Sequence, residues 1–299
     1  MERDYPLARL TTVRAGGNAE LFARPASEAE LVELLAWAAS EGHGVEMVGS
    51  GSNLLVADSG VSGLVLKLDG ELTELTQDGT RVLCGGGVRL PSAAAKVARW
   101  GLTGLEFGIN IPGTVGGAVR MNANAYGGEL AAVLEWVSVC GPRGAERRTP
   151  DELGFTYRHS NLASGEVVSQ ASFALSEAEP DAVKATLAEM RGKRREAQPS
   201  GIKTFGSTFK NPADAGAEGR SAGVLLDSVG ARGLAVGGAR FSLKHANFVE
   251  NTGSATTADI LALMSEGRRL VHERYGVVLE PEVQVLGEAD WPDGWHLEA

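Results

Sequence analysis

Forty of the 299 residues are glycine, roughly twice the ~7% of an ordinary globular chain, and no other feature restricts the fold as much. The glycines follow no collagen period and gather in short clusters between apolar segments. Clustering of this kind means many tight turns, or loops whose backbone must approach a ligand closely, because only glycine lacks the Cβ that would intervene. The remaining composition, 43% hydrophobic and 22% charged, is that of a folded chain and argues against bulk disorder.

Two clusters carry most of the information. Gly49-Ser-Gly-Ser-Asn53 follows the apolar run Val45–Val48 and precedes Leu54-Leu-Val56. A Rossmann fingerprint needs a third glycine and a following helix, and both are missing. The stretch reads either as an ordinary turn or as a hairpin-like strand–loop–strand whose small residues aim several N–H groups at one anion. The second cluster, Gly108-Ile-Asn-Ile-Pro-Gly-Thr-Val-Gly-Gly-Ala118, is followed by Asn122, Asn124 and Tyr126-Gly127. Two charge-poor glycine loops suit a diphosphate and a flat ring held by backbone amides. Local dipoles then decide the binding of an anion, even in a chain with 28 basic and 38 acidic residues and a net charge of −10.

That same charge argues against an extended nucleic-acid surface. No apolar run reaches the roughly 18–20 residues that cross a bilayer, and Met1–Pro6 lacks the apolar stretch of a secretory signal. Cys84 and Cys140 fit neither a disulfide framework nor zinc spacing. The five histidines are dispersed, so no metal site is expected. A cytoplasmic location, no membrane and no nucleic-acid partner are the expectations.

Periodicity predicts helices from Ser27 to Gly42 with a capping box at Ser27–Glu30, from about Asp181 toward Pro199, and from Thr256 or Thr257 to Gly276, with shorter ones at 91–100 and 221–229. Strand-like runs fall at 45–48, 54–57, 64–68, 81–84, 134–140, 167–175 and 277–286. The class is an α+β or α/β mixture. Boundaries are expected near Asp69-Gly70 and in Glu196–Gly201. The basic run Arg191, Lys193, Arg194, Arg195 reads as a solvated helix face, and Trp37 falls on the polar side of its helix.

Charged and polar residues gather in three places: Tyr157-Arg158-His-Ser160, Gly206-Ser-Thr-Phe-Lys-Asn-Pro212 and Leu279-Glu-Pro-Glu282. Each alone reads as a surface feature. With Thr11–Gly17, the two glycine loops, and Gly237-Gly-Ala239 with His245-Ala-Asn-Phe248, they run in one order from residue 11 to 286. In that order the chain resembles the UDP-N-acetylenolpyruvoylglucosamine reductases, in the branch that lacks a tyrosine-bearing loop between Arg158 and Ser207. The resemblance implies an α+β chain: a two-lobed FAD-binding domain of the vanillyl-alcohol-oxidase type, with lobes 1–70 and 71–198, then an α+β substrate-binding domain over 199–299. It implies non-covalent FAD on Gly49, Ser50, Gly51, Ser52, Asn53, Leu54, Ile111, Pro112, Gly113, Thr114, Gly117 and Ala118. NADPH is the implied co-substrate, UDP-N-acetylglucosamine-enolpyruvate the acceptor, and a monomer is expected.

The chemistry implied is demanding. Hydride added to an enol ether that carries a carboxylate puts negative charge on an anion, so the site must supply positive or acidic donors and then a proton. By match to the family's motifs, Arg158 grips the carboxylate with its planar fork. Glu282 assists in protonated form, its pKa raised by burial, and Ser207 donates the proton. Tyr126, Lys210 and Asn211 are implied substrate contacts; Glu280 reads as a strand-end carboxylate, and the role of His245 stays open. Asn110 and Asn124 stand where the family commonly has smaller residues, which bears on local flavin contacts. A flavin oxidase of the same fold and a non-catalytic flavin-binding module are the alternatives.

Overall fold

The computed structural model describes residues 1–292 and Trp295, in six α-helices and 18 strands among the described residues. The long helices stand where local signals put them. Helix α1 (Glu28–Glu41) starts at Ser27, whose hydroxyl accepts from the Glu30 N–H, and ends at left-handed Gly42. The Glu30 carboxylate reaches past the cap residue and accepts from the Ala26 N–H at 2.8 Å. Leu31, Leu35 and Ala38 form the buried stripe. Trp37 is half-buried, its ring 5.3 Å from that of His43. Helices α2 (Leu90–Arg99), α4 (Pro180–Ala197), α5 (Ala222–Ser228) and α6 (Thr257–Tyr275) match the expected segments within a residue or two. Helix α3 (Val115–Arg120) was hidden in the second glycine cluster.

Two compact units share the chain. The first holds Met1–Arg3, Leu21–Ser50 and Ser62–Glu196; the second holds Asp4–Glu20, Gly51–Val61 and the chain from Ala197 on. Residues 1–70 are therefore split between the two, and the chain passes from one unit to the other inside the first glycine loop, between Ser50 and Gly51.

The core of the first unit is a five-stranded antiparallel sheet in the order Gly144–Arg148, Leu134–Gly141, Val167–Ala174, Arg81–Gly85, Leu75–Asp78. Alternation along the strands divides its faces. Val137, Val139 and Ala171 join Leu90, Ala93 and Val97 of α2 in one cluster, while Cys140 and Val167 join Leu31 and Leu35 of α1 in another. On the α1 side, Glu28 accepts from the hydroxyls of Ser138 and Ser169, which satisfies a carboxylate set against a buried face.

The second unit packs α5 and α6 with a three-stranded antiparallel sheet, Ala235–Val236, Ala239–Phe241 and Val249–Asn251. Leu54–Val56 pairs in parallel with Gln284–Leu286, whereas Val45–Met47 pairs in parallel with Val61–Leu66. The strands flanking the first glycine loop thus belong to different sheets, and the expected hairpin is not formed. Of the expected run 277–286, only Gln284–Leu286 pairs as a strand.

Candidate active site

In the Gly49–Asn53 loop, none of the five backbone N–H groups has an acceptor among the described residues. Ser50 Oγ is buried and also without a partner. Unsatisfied donors concentrated in one turn are costly unless an anion completes them. The carbonyl side of the loop, by contrast, is tied down. Gly49 O accepts from Lys67 Nζ at 2.7 Å, and Gly51 O from the backbone and hydroxyl of Thr12. Burial lowers the Lys67 pKa, with Arg24 and Arg89 adding repulsion and Asp69 opposing them. An added anion beside Gly49 would relieve that repulsion. Sequence reasoning missed Lys67; the available signal was a lone lysine inside the apolar run Val65-Leu-Lys-Leu68.

The second loop is built differently. The N–H groups of Ile111, Gly113, Val115, Gly116 and Ala118 donate to backbone carbonyls, and that of Gly117 to Thr114 Oγ1. Its amides are therefore largely used within the fold, and close approach is what it offers. A Cβ on Gly49 would lie 2.6 Å from Thr114 Oγ1, while one on Gly113 would meet nothing within 4 Å. The two glycine loops meet at Gly49 and Thr114 with no room for a side chain. Within the first unit, the open amides of Gly49 and Ser50, the orphaned Ser50 hydroxyl and the cation at Lys67 fit the diphosphate of a flavin dinucleotide.

Within the second unit, the loop's far half lies against two of the expected catalytic segments. Gly206 (φ +87°) packs so that a Cβ there would stand 3.6 Å from Ser52 O. Asn53 Nδ2 donates to Glu282 O at 3.1 Å, and Glu282 N donates to Thr208 O at 2.9 Å. Ser207 bridges to Phe248 and Phe209 to Pro281. Ser207 and Glu282 are thus held on neighbouring extended segments beside Ser52 and Asn53, both half-buried. Lys210 pairs with Glu280 at 3.1 Å, which accounts for Glu280 as a structural carboxylate. Asn211 Oδ1 accepts from Ala222 N at the start of α5.

Arg158 belongs to the first unit, with Tyr126. It sits at the tip of a tight turn in which Thr156 and His159 exchange both backbone hydrogen bonds, at φ +56°. Tyr126 is 46% exposed. The two departures from the family pattern both make side-chain bonds. Asn124 Oδ1 accepts from Arg158 Nη1 at 3.0 Å. Asn110 donates to Met190 O at 2.7 Å, and Arg194 of α4 donates to Asn110 O. Arg194 is therefore not part of a solvated face; it clasps α4 to the stretch that precedes the second loop.

Comparison with known proteins bears on the same segments. The family model described as FAD binding domain matches residues 19–149. The model for UDP-N-acetylenolpyruvoylglucosamine reductase, C-terminal domain, matches residues 198–286. The UDP-N-acetylenolpyruvoylglucosamine reductase 2 of Symbiobacterium thermophilum is 43% identical over 97% of this chain and 94% of its own length. The reductase of Geobacter metallireducens is 42% identical over 96% of this chain and 94% of its own. A crystal structure of the reductase from Thermus caldophilus superposes with a TM-score of 0.82 at 38% identity, covering 97% of this chain and 98% of that one. The chain belongs to the UDP-N-acetylenolpyruvoylglucosamine reductase family, FAD-dependent oxidoreductases of peptidoglycan synthesis.

Proposed function

We propose that this chain reduces the enolpyruvyl ether of UDP-N-acetylglucosamine-enolpyruvate to UDP-N-acetylmuramate, with NADPH as the electron source, acting as a cytoplasmic monomer. The observation that carries this reading is the gathering of Ser207 and Glu282 beside Ser52 and Asn53 of the open-amide loop. Among the described residues, no helix is long and apolar enough to cross a membrane.

When bound, the flavin supplies hydride; the chain must bind, orient and protonate. Arg158 is the group for the substrate carboxylate, where a planar fork fits two oxygens and offsets the charge that develops on them. Glu282 is assigned to assist at the reacting group. Ser207 gives the proton to the carbon next to the carboxylate. A hydroxyl is a weak acid, but an enediolate-like carbon is basic enough to take its proton. Lys67, Gly49 and Ser50 hold the diphosphate of the cofactor. Lys210 is pre-set by Glu280, and with Tyr126 and Asn211 is assigned to the sugar or the diphosphate of the substrate.

The test is optical. The purified protein should be yellow, bleach under NADPH without oxygen, and regain colour on addition of the enolpyruvyl nucleotide. A preparation that recolours with oxygen as fast as with the nucleotide would count against this reading and for an oxidase.

A further inference from the structure

We infer that Glu46 is the acceptor for the ribose hydroxyls on the adenosine side of the flavin dinucleotide; this rests on the reading of Gly49, Ser50 and Lys67 as the diphosphate site. Glu46 is the central residue of the strand Val45–Met47, which leads into the first glycine loop. Side chains alternate between the faces of a strand. Val45 and Met47 pack against the cluster that holds Leu31 and Leu35 of α1, so Glu46 points to the opposite face, away from that core. It is half-buried, and its carboxylate makes no hydrogen bond or ion pair among the described residues.

The cation across from it is committed elsewhere. Arg120 is the last residue of α3, and its guanidinium donates to Leu162 O at 3.2 Å, Ala163 O at 3.1 Å and Glu166 O at 2.8 Å. It lies within electrostatic reach of Glu46. Burial raises the Glu46 pKa, and Arg120 opposes the rise. The carboxylate has lost part of its water and gained a neighbouring charge, but no donor. A carboxylate so placed is costly unless donors complete it.

Its position indicates which donors those are. Gly49 and Thr114 meet with no room for a side chain between them. From that junction the strand reaches Glu46 in three residues, about 10 Å, and α3 reaches Arg120 in six, about 9 Å. The two elements run side by side from the glycine junction to the Glu46–Arg120 couple, and a nucleoside attached to a diphosphate at Gly49 and Ser50 lies along that edge. In chain order, Ser207 and Glu282 lie beside Ser52 and Asn53, which assigns the reactive ring to the later half of the loop. Glu46 precedes the loop, on the half left for adenosine. The ribose of adenosine carries two adjacent O–H donors, and a carboxylate offers two acceptor oxygens to match them.

The experiment measures flavin affinity on the full-length protein, from the fluorescence of flavin released on dilution. Glu46→Gln keeps the size of the side chain and one acceptor oxygen. It should raise the FAD Kd about tenfold, the loss expected for a hydrogen bond to a charged group. FMN, which has no adenosine, should bind both proteins equally. FAD built on 2′-deoxyadenosine should bind the wild-type protein about tenfold more weakly than FAD does, a comparison in which no variant has to fold. With that analogue, Glu46→Gln should add less than about a twofold loss. An unchanged FAD Kd in Glu46→Gln, an equal loss for FMN and FAD, or losses that add in full overturn the inference. Lys67→Met separates it from the reading beneath. If that variant weakens FAD and FMN while Glu46→Gln changes neither, only the role of Glu46 falls. If Lys67→Met leaves both affinities unchanged, the diphosphate site falls and this inference with it.

Discussion

At the scale of single residues, the proposed site separates groups whose loss stops one half of the cycle from groups that hold the fold. Ser207 belongs to the first kind, and loss of one such donor typically costs ~3–4 kcal/mol in the barrier. Ser207→Ala should therefore slow flavin reoxidation by the enolpyruvyl nucleotide by about a hundred- to a thousandfold while NADPH reduces the flavin normally; equal slowing of both steps in stopped flow would remove Ser207 from its role. His245 is of the second kind. Its Nδ1 accepts from Asn247 N at 3.2 Å, and its ring lies beside Gly223, where a Cβ would meet it at 2.8 Å. Burial first, then the Arg232 guanidinium, hold its pKa below 6.5, with Asp227 opposing. The unfolded chain then binds a proton that the folded one resists, so the contribution of His245 is complete above about pH 6.5 and is lost as pH falls through its folded pKa. His245→Asn keeps an acceptor at this place but cannot titrate there. Its urea midpoint should decline less than that of the wild type between pH 7 and pH 5, and parallel declines would show that other groups govern the loss.

At the scale of elements, helix α6 is capped twice over. Thr256 and Asp259 form a reciprocal capping box, and Asp58 accepts from the N–H groups of Thr257 and Ala258, both at 2.9 Å. Removing a side-chain cap costs about 1 kcal/mol, so Asp58→Ala should lower the unfolding free energy in urea by that order with the m-value unchanged; no change would mean that the Thr256–Asp259 box suffices alone. The sequence displays the box, because capping is local, but it does not display Asp58, which arrives from about 200 positions away. The same distinction separates what could be read from what could not. Helices α1, α4 and α6 were legible from caps and apolar spacing, and the glycine loops from composition. Helix α3 was not, because Gly116 and Gly117 weaken helix propensity and only the Thr114 cap and the packing of Val115 and Val119 enforce it. The first loop was legible as a small-residue turn between apolar segments but not as a crossing, since the parallel partners of its flanking strands lie far along the chain or beyond the next turn. Arg158, Ser207 and Glu282 were proposed from ordered motifs, whereas the bonds of Lys67 to Gly49 and of Asn124 to Arg158 are contacts that no motif spells out.

At the scale of the whole molecule, the second unit is assembled from three separated stretches of chain, and its stability must depend on all of them. The C-terminal family match begins at residue 198, which invites the view that this portion is a free-standing domain. The packing says otherwise. Val13, Ala15 and Leu55 lie in the same core as Phe205, Phe241, Ile260 and Met264. Asn251 Nδ2 donates to Val13 O at 2.9 Å, Thr257 Oγ1 to Val56 O at 2.5 Å, and Gln284–Leu286 has Leu54–Val56 as its ladder. A fragment beginning at Ala197 would expose that core face, uncap α6 at Asp58 and leave a strand without its partner. Losses of several kcal/mol are comparable with the whole stability of a domain of about 100 residues, roughly 5–15 kcal/mol. The fragment 197–299 made alone should therefore lack cooperative thermal unfolding and give narrow, collapsed amide shifts by NMR. Linking residues 4–20 and 51–61 to it should restore dispersion. A well-folded fragment without those stretches would show that the core from Ala197 onward suffices by itself, and that the early segments are held by it rather than helping to build it.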